Sequence, residues 1–457
     1  MARRQKAGRA LRIRRIGLWV FGISGLCGSL LSVPASSPRM RAETLLERSF
    51  RVEGESEVWA ELHARVPGAR WGERGREAAT LTLFLNGRYH QDVILFAGES
   101  SFRYSVHVGR VRPGTHTVRI VWNRRHSAPH VSSPILEDFV LHPVGRADPE
   151  FLPLAHSPIL YARPNSIGMF SDIPLLMWYE TVRRREALTI RYSVIFSNED
   201  GGTETSALMA RWGRATDIEW VYEVTLTVSG RILDARYQGP RHRTHRFRGR
   251  REDDHPLLLV VSDNNNFSDR GRSSLRFALR PLPFDSSEVA REELMDQHPW
   301  TYRIMAEELH REGKLGPTLR VGTQIPDPRR YMYIEIAADQ RDAGLSLAVK
   351  LSGDRRWYTS DLGVASFTLE RSGFLRTAIP LPEGATASEV ERLLLRCDAL
   401  TDPRTPRARE LLARAECFVR DVRKVFFLDS EFRPGPPLPI RISPIRLRIG
   451  DMVEVWP

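Results

Sequence analysis

The feature that most constrains the fold is a two-residue alternation of apolar and polar side chains in short segments separated by turn residues. The segments that show it most clearly are 58–66, 81–85, 102–108, 188–196 and 218–228. Neighbouring side chains of a strand point to opposite faces, so this period is typical of sheets with one buried face. The sequence therefore predicts a mainly β protein built from antiparallel, sandwich-like modules.

The strand-like segments group into blocks that we interpret as domains. The predicted order is a signal peptide (1–35), a β-sandwich module of the immunoglobulin-like or carbohydrate-binding-like kind (44–147), a central β domain (150–285), a helical connector (286–329) and a C-terminal β-rich domain with helices (330–457). A chain of 457 residues has room for several domains of ordinary size. Within the first block, Asn86-Gly87 predicts a tight hairpin between two strands.

A short helical insert is predicted at about residues 286–313. Pro299 stands where the first residue of a helix is expected, and Gly313 stands where that helix should end. Between them, apolar residues recur at helical spacing: Ile304, Met305 and Leu309.

One or two further helices are predicted near residues 387–422. Thr386 and Glu389 have the spacing of a capping box, which predicts a helix carrying Cys397. A second apolar stripe steps by four, three and four residues, as one face of a helix does: Leu411, Ala415, Phe418 and Val422.

The first 35 residues have the composition of a secretory signal peptide. Residues 1–15 contain seven basic side chains and no acidic one, residues 16–31 are uncharged and mostly apolar, and Val33-Pro34-Ala35 offers a cleavage site. Because the apolar run is shorter than the ~20 residues that span a bilayer, an uncleaved anchor is the second interpretation. We therefore expect export to the periplasm, cell surface or extracellular space, with membrane contact only through this segment if it stays uncleaved.

Charge and cysteine content limit the partners and the compartment. Seven of the net +12 charges lie in the first 35 residues, which leaves +5 for the rest, too few to indicate nucleic-acid binding. Removal of that segment leaves Cys397 and Cys417. In an oxidising compartment an isolated pair favours a disulfide, and two buried free thiols are the alternative.

Polar residues of the kinds that bind metals are densest in the central block. Asp217 and Glu219 are two residues apart on a predicted strand, so both should point to one face. The candidate metal ligands are Asp217, Glu219, His242, His255, Asp263 and Asp269. Oxygen and imidazole ligands of this kind suit Ca, Zn or Mn, and a bound ion can activate water. The alternative is that these residues belong to solvated strand faces and turns.

The same part of the chain resembles a known family. Residues 217–222, Asp-Ile-Glu-Trp-Val-Tyr, together with 237–242 and 255–257, are similar to the Asp-Trp-Glu-His box of a vacuolar-protein-sorting-associated family of plants and fungi. Ile218 stands where that box has tryptophan, and Trp220 stands where it has histidine. The resemblance covers about residues 156–270, implies a β-rich fold, singles out Asp217, Glu219 and His242, and implies no activity.

The sequence contains no Gly-x-Ser-x-Gly elbow, Walker loop, dinucleotide fingerprint, His-Glu-x-x-His or Cys-x-x-Cys motif. This favours a secreted or cell-envelope protein that binds an extracellular ligand, a glycan or an envelope component, without catalysis and with no certain cofactor. The aromatic residues suited to stacking on such a ligand are Trp212, Trp220, Tyr237 and Trp357, for which core packing is the alternative role. The alternative function is a divalent-metal-assisted extracellular hydrolase that uses the Asp/Glu/His cluster of the central domain.

Overall fold

A computed structural model describes residues 43–199, 201–400 and 406–456 of the chain. Within these residues the protein is mainly β, with several antiparallel sheets and five α-helices, which confirms the predicted fold class. The described residues all belong to one compact unit, Ala42–Pro457. The predicted signal peptide lies outside them. None of the helices in the described ranges combines the length and the apolar composition that crossing a membrane requires.

Seven strands form the N-terminal sandwich. They are β1 (Glu43–Val52), β2 (Ser56–Arg65), β3 (Ala79–Leu85), β4 (Arg88–Leu95), β5 (Phe102–Val111), β6 (Gly114–Trp122) and β7 (Ile135–Gly145). One sheet has the order β1-β6-β3-β4 and the other β5-β2-β7, and all neighbours are antiparallel. The predicted hairpin between β3 and β4 is confirmed, because Asn86 and Gly87 have the positive φ angles, 50° and 75°, that such a turn requires.

Eleven strands and two short helices form the central region. They are α1 (Phe151–Ala155), β8 (Ile159–Tyr161), β9 (Pro174–Arg183), β10 (Ala187–Phe196), α2 (Thr205–Trp212), β11 (Ile218–Thr227), β12 (Ile232–Gly239), β13 (Arg243–Arg246), β14 (Arg251–Glu252), β15 (His255–Val260), β16 (Phe267–Ser268), β17 (Arg276–Phe277) and β18 (Pro281–Pro283). A six-stranded sheet has the order β13-β12-β11-β10-β9-β18. A second sheet has the order β14-β15-β8-β17, with β16 paired to β15. Apolar side chains of both sheets share one buried core.

The core of the N-terminal sandwich continues into the central region. Its buried cluster contains Leu81 and Val118 of the sandwich together with Leu175 of β9 and Phe277 of β17. Because these side chains exclude water jointly, the sandwich and the central sheets hold fixed positions relative to each other.

The predicted helical insert is confirmed. It consists of α3 (Glu293–Gln297) and α4 (Trp300–Arg311). α4 buries the apolar stripe that predicted it, Ile304, Met305 and Leu309, each fully inaccessible to solvent.

Eight strands and one helix form the C-terminal sandwich. They are β19 (Tyr331–Arg341), β20 (Ala343–Leu351), β21 (Trp357–Thr359), β22 (Gly373–Pro380), β23 (Val390–Ala399), α5 (Pro406–Arg414), β24 (Glu416–Phe427), β25 (Ile445–Arg448) and β26 (Met452–Trp456). The sheet orders are β22-β19-β24-β25 and β21-β20-β23-β26, and one apolar core lies between the two sheets.

One helix, α5, lies near residues 387–422, where one or two were predicted, but the helix predicted to carry Cys397 does not form. The capping box at Thr386 forms, but it opens a single 3-10 turn, and Cys397 lies on strand β23. The second stripe is divided between α5, which ends at Arg414, and strand β24. Around Cys397 the apolar positions fit a period of two as well as a helical one, whereas β24 buries Cys417, Val419 and Val422, only one of which belongs to the helical stripe. Packing across the C-terminal core selects the strand in both cases.

The predicted disulfide is not formed. Cys397 and Cys417 are free, fully buried thiols on opposite sheets of the C-terminal sandwich, with their Sγ atoms 2.9 Å apart. The two side chains are in contact in one packed core, as predicted, but no covalent bond joins them.

A fully buried arginine joins the helical insert to the C-terminal sandwich. Arg376 of β22 donates two hydrogen bonds of 2.8 Å to Asp296 of α3 and one of 2.9 Å to Glu335 of β19. It also donates to the hydroxyl of Tyr302 on α4 at 2.9 Å. The guanidinium therefore compensates two carboxylates that have lost most of their contact with water.

We expect Arg376→Ala to lower the free energy of unfolding by about 3–5 kcal/mol, because it removes the buried cation between Asp296 and Glu335 and leaves Asp296 only the partly exposed Lys424 as a charged partner. The matched control is Arg392→Ala on β23, whose guanidinium pairs with Glu454 at the surface, where water and salt screen the pair and a much smaller loss is expected. Urea denaturation of the two variants and the native chain measures both effects. Equal losses in the two variants would contradict the role assigned to Arg376.

Candidate functional site

Asp217 directly precedes β11, and Glu219 is the second residue of that strand, in the six-stranded sheet of the central region. Only 3% and 8% of their surfaces are exposed. Burying two carboxylates this close is unfavourable unless hydrogen bonds or opposite charges replace the lost water. The hydrogen-bond partners and charges around the two carboxylates therefore indicate which ligands or ions the site could bind.

Asn265, in the loop after β15, connects Asp217 to another buried carboxylate. Its Nδ2 donates to Asp217 Oδ2 and to Asp172 Oδ1, at 3.1 Å each. Asn265 is fully buried, has a φ of 39°, and its Oδ1 has no hydrogen-bond partner. Left-handed backbone and an unsatisfied buried oxygen both cost free energy, and such features concentrate at functional sites.

Asp263 joins this network at its solvent edge. The guanidinium of Arg163 donates to Asp172 Oδ2 at 3.0 Å and also to Asp263, which is exposed. Asp172 has a φ of 52°, so the residue opposite Asn265 is held in left-handed backbone too. A continuous chain of hydrogen bonds thus runs from the surface carboxylate Asp263 to the buried carboxylate Asp217.

Glu219 connects the buried acids to an exposed imidazole. Its Oε1 lies 3.4 Å from Nδ1 of His242, and its Oε2 accepts a hydrogen bond from Gln238. His242 has a φ of 54°, in the turn between β12 and β13. The imidazole is therefore positioned between solvent and the buried carboxylates.

A third acid, Glu199, lies in the loop after β10. Only 6% of it is exposed, and its Oε1 accepts a hydrogen bond from Asn264 at 3.3 Å. The loop needs glycine to approach this closely, since a Cβ on Gly201 would lie 2.9 Å from the Cβ of Asp263. Asp217, Glu219 and Glu199, with His242 and Asn265, are called the carboxyl cluster below.

Negative charge dominates the electrostatics of the carboxyl cluster. Burial, followed by the charges of Glu219 and Glu199, raises the pKa of Asp217 to about 8. Burial likewise raises the pKa of Glu199, and the hydrogen bond that His242 donates to Glu219 raises the pKa of His242. Neighbouring acids that cannot all ionise together are the arrangement found in acid–base sites.

The remaining two predicted ligands lie elsewhere. Asp269 accepts hydrogen bonds from the backbone N–H of Arg248 at 2.8 Å and from the hydroxyl of Tyr237 at 3.4 Å, in the loop after β16. His255 lies in the contact between the central region and the N-terminal sandwich. The six metal ligands proposed from the sequence therefore do not form a single site.

His255 belongs to a different group, called the buried triad below. Its Nε2 lies 3.3 Å from Oε2 of Glu57 on β2, and Nε2 of His107 on β5 lies 2.9 Å from the same oxygen. Among the described residues this is the one set of three histidine, cysteine or acidic side chains whose ligand atoms all lie within 4.8 Å of one another. All three residues are buried.

Sequence reasoning missed Glu57 and His107. Glu57 directly precedes the alternating segment 58–66, His107 lies 50 positions further on, within the segment 102–108, and His255 is 198 positions from Glu57. No local spacing connects them. The signal was a charged or polar residue inside an otherwise apolar strand segment, which identifies a buried polar group without naming its partners.

The four predicted ligand-binding aromatics lie on separate elements, α2, β11, β12 and β21. Trp212 is covered by the guanidinium of Arg371, 3.2 Å from its ring centroid, and Tyr237 is buried. Trp220 has Arg191 at 5.7 Å, and Trp357, 37% exposed, has Arg392 at 5.5 Å. Each ring therefore already contacts a cation or the core.

A cavity of about 150 Å³, partly open to solvent, lies where the N-terminal sandwich meets the central region. Its wall is mostly apolar and includes Ile94, Phe96, Phe102, Val106, Leu175, Met177, Leu279 and Trp300. Phe96 stacks on Trp300 with ring centroids 5.2 Å apart, and Phe102 meets Trp300 edge-on at 5.2 Å. Arg103, Arg280 and His298 supply polar groups at the wall.

Comparison with known proteins adds no assignment: no protein-family model matches the chain, and no curated protein matches it.

Proposed function

We propose that the protein is an exported β protein that binds an extracellular ligand, without catalysis, in the cavity beside Trp300. The observation that carries this proposal is the cavity itself, an apolar, aromatic-lined space with a few polar groups. Concave sites of this composition at the contact between structural units are the usual form of small-ligand sites.

The cavity favours an amphipathic envelope component over a bare glycan. A volume of about 150 Å³ accommodates a group of roughly benzene size, such as one ring or the end of an alkyl chain. Arg280 lines the wall, and its guanidinium, which pairs with Glu150 at 3.2 Å, places positive charge there for an anionic group of the ligand. A sugar would leave most of its hydroxyl groups unpaired against this wall.

We expect the native chain to bind dodecanoate, and Trp300→Ala to weaken that binding by about tenfold or more, because it removes the largest aromatic wall of the cavity. Isothermal titration calorimetry measures both affinities. Ser105→Leu, which adds bulk at the wall, is a second variant that leaves Trp300 packed and should also weaken binding.

The matched control is Trp357→Ala, since Trp357 lies on β21, outside the cavity, and this variant should bind as the native chain does. The cavity would be excluded as the ligand site if the native chain bound cellohexaose and not dodecanoate, and if Trp357→Ala lost that binding. This result would instead favour the aromatic residues named from the sequence.

Export belongs to the same proposal and is supported by the basic and apolar order of residues 1–35. In an oxidising compartment the adjacent thiols of Cys397 and Cys417 would form the disulfide that the structure lacks. In cells producing the full chain, we expect the exported fraction to be shorter by about 35 residues and to resist alkylation until it is reduced. A full-length chain in the cytoplasmic fraction, with both thiols reactive after unfolding, would contradict this.

A second candidate is a divalent-metal-assisted hydrolase that uses the carboxyl cluster. The observation that favours it is the accumulation of buried acids beside an oxygen, Asn265 Oδ1, that has no partner. A calcium or manganese ion would take such oxygens as ligands and relieve the repulsion among the acids. His242, at the solvent side, would be the group that exchanges protons with a substrate or water.

This candidate predicts a specific pH dependence. The pKa of Asp217 is about 8 in the folded chain and about 3.9 in an unfolded one, so only the folded chain is protonated between these values. The stability that this proton provides is complete below about pH 4 and is lost as the pH rises through about 8. An ion that replaces the proton should therefore raise the melting temperature more at about pH 9 than at about pH 6.

Melting curves with Ca²⁺, with Mn²⁺ and with chelator measure this difference, and Asp217→Asn should abolish it. The control is Asp354→Asn, because hydrogen bonds from Tyr358 and Arg356 lower the pKa of this carboxyl to about 2, outside the relevant range. An ion effect that is equal at both pH values, or that survives in Asp217→Asn, excludes the carboxyl cluster as the ion site.

A further inference from the structure

The buried triad lies in the contact between the N-terminal sandwich and the central region. Glu57 and His107 come from neighbouring strands of the sandwich, β2 and β5, and His255 is the first residue of β15. The side chains of Glu57 and His107 are 0% exposed, and that of His255 is 3% exposed. Groups this polar are buried only where something compensates their lost hydration.

The hydrogen bond between His255 and the backbone of Ser157 determines which imidazole nitrogen carries the hydrogen in the neutral ring. Nδ1 of His255 lies 2.9 Å from the carbonyl oxygen of Ser157, which can only accept, so Nδ1 carries the hydrogen. The neutral ring then directs the lone pair of Nε2 at the carboxylate of Glu57, 3.3 Å away. Two acceptors at this distance require a cation between them, either a proton or a metal ion.

The other contacts of Glu57 leave one oxygen for that cation. Its Oε1 accepts from Nε of Arg110, and Arg110 in turn donates to Asp254 at 2.7 Å. Oε2 faces both imidazoles. The backbone carbonyl that fixes His255 from behind is the usual outer partner of a metal-binding histidine.

We propose that Glu57, His107 and His255 bind one divalent transition-metal ion, with zinc as the ion that the ligand set favours. The two nitrogens lie 2.9 Å and 3.3 Å from Glu57 Oε2, which are separations that ligands of one ion have when the bonds are about 2.0–2.2 Å. Two imidazoles and one carboxylate are preferred by zinc and its first-row neighbours, whereas calcium prefers oxygen ligands alone.

The position of the triad makes this ion structural. It is closed off from solvent, and its ligands come from both sides of the contact, so the bound ion joins the N-terminal sandwich to the central region. The triad is separate from the ligand cavity and from the carboxyl cluster, because neither contains a triad residue.

The test is the metal content of the purified full chain after zinc loading and dialysis, measured by inductively coupled plasma mass spectrometry. We expect one zinc per chain in the native protein and its loss in Glu57→Gln and in His255→Gln. Two controls should keep it: His156→Gln, which changes another buried histidine, and Asp217→Asn, which changes the carboxyl cluster.

X-ray absorption of the zinc-loaded native chain gives a second measurement that requires no variant to fold. Two imidazole ligands per zinc support the triad, whereas one or none overturns it, because the carboxyl cluster offers only His242. Zinc that is retained in the Glu57 and His255 variants also overturns the proposal. A native chain that binds no zinc overturns it as well and shows that protons hold the triad together.

Discussion

The structure depends on compensating charges in the contacts between its sheets. Apolar alternation forms each sheet and buries one face, but hydrophobic burial has no direction and does not fix how one sheet lies on the next. The contacts between structural units instead contain hydrogen-bonded charges with strict geometry: Arg376 between the helical insert and the C-terminal sandwich, and Glu57 with two histidines beside β15. Each excludes arrangements that would leave its charge unpaired.

The sequence was sufficient for most of the fold because the signal for a strand is local. Alternation over 81–85 or 188–196 is decided by neighbours in the chain, and the corresponding strands β3 and β10 form where they were expected. The failure around Cys397 has the opposite cause. Leu393, Leu395 and Cys397 alternate inward in β23, but the neighbouring leucines also fit a helix, and only the opposite sheet decides between them. Ambiguous short segments are therefore resolved by tertiary contacts.

The candidate sites show the same division. Asp217 and Glu219 are close in sequence, and their association through one strand was predicted. Asp172 and Asn265 complete that network from distant loops, and their left-handed backbone leaves no trace in composition. Glu57, His107 and His255 come from three strands, and only the pairing and packing of those strands shows that they form one group. A site assembled from several sheets therefore cannot be predicted from the local spacing of residues, whereas residues of a site that are close in sequence can.

Strand β5 connects the ligand cavity to the buried triad. Consecutive residues of a strand point to opposite faces, and Val106 lines the cavity while His107, the next residue, contacts Glu57. The backbone N–H of His107 also donates to the carbonyl of Ala278 at 2.9 Å, beside the cavity residue Leu279. An ion in the triad would hold β5 against both β2 and β15, and so would fix one wall of the cavity. Preorganised walls lower the cost of ordering a site when its ligand binds, so a metal ion far from any chemistry would still contribute to affinity.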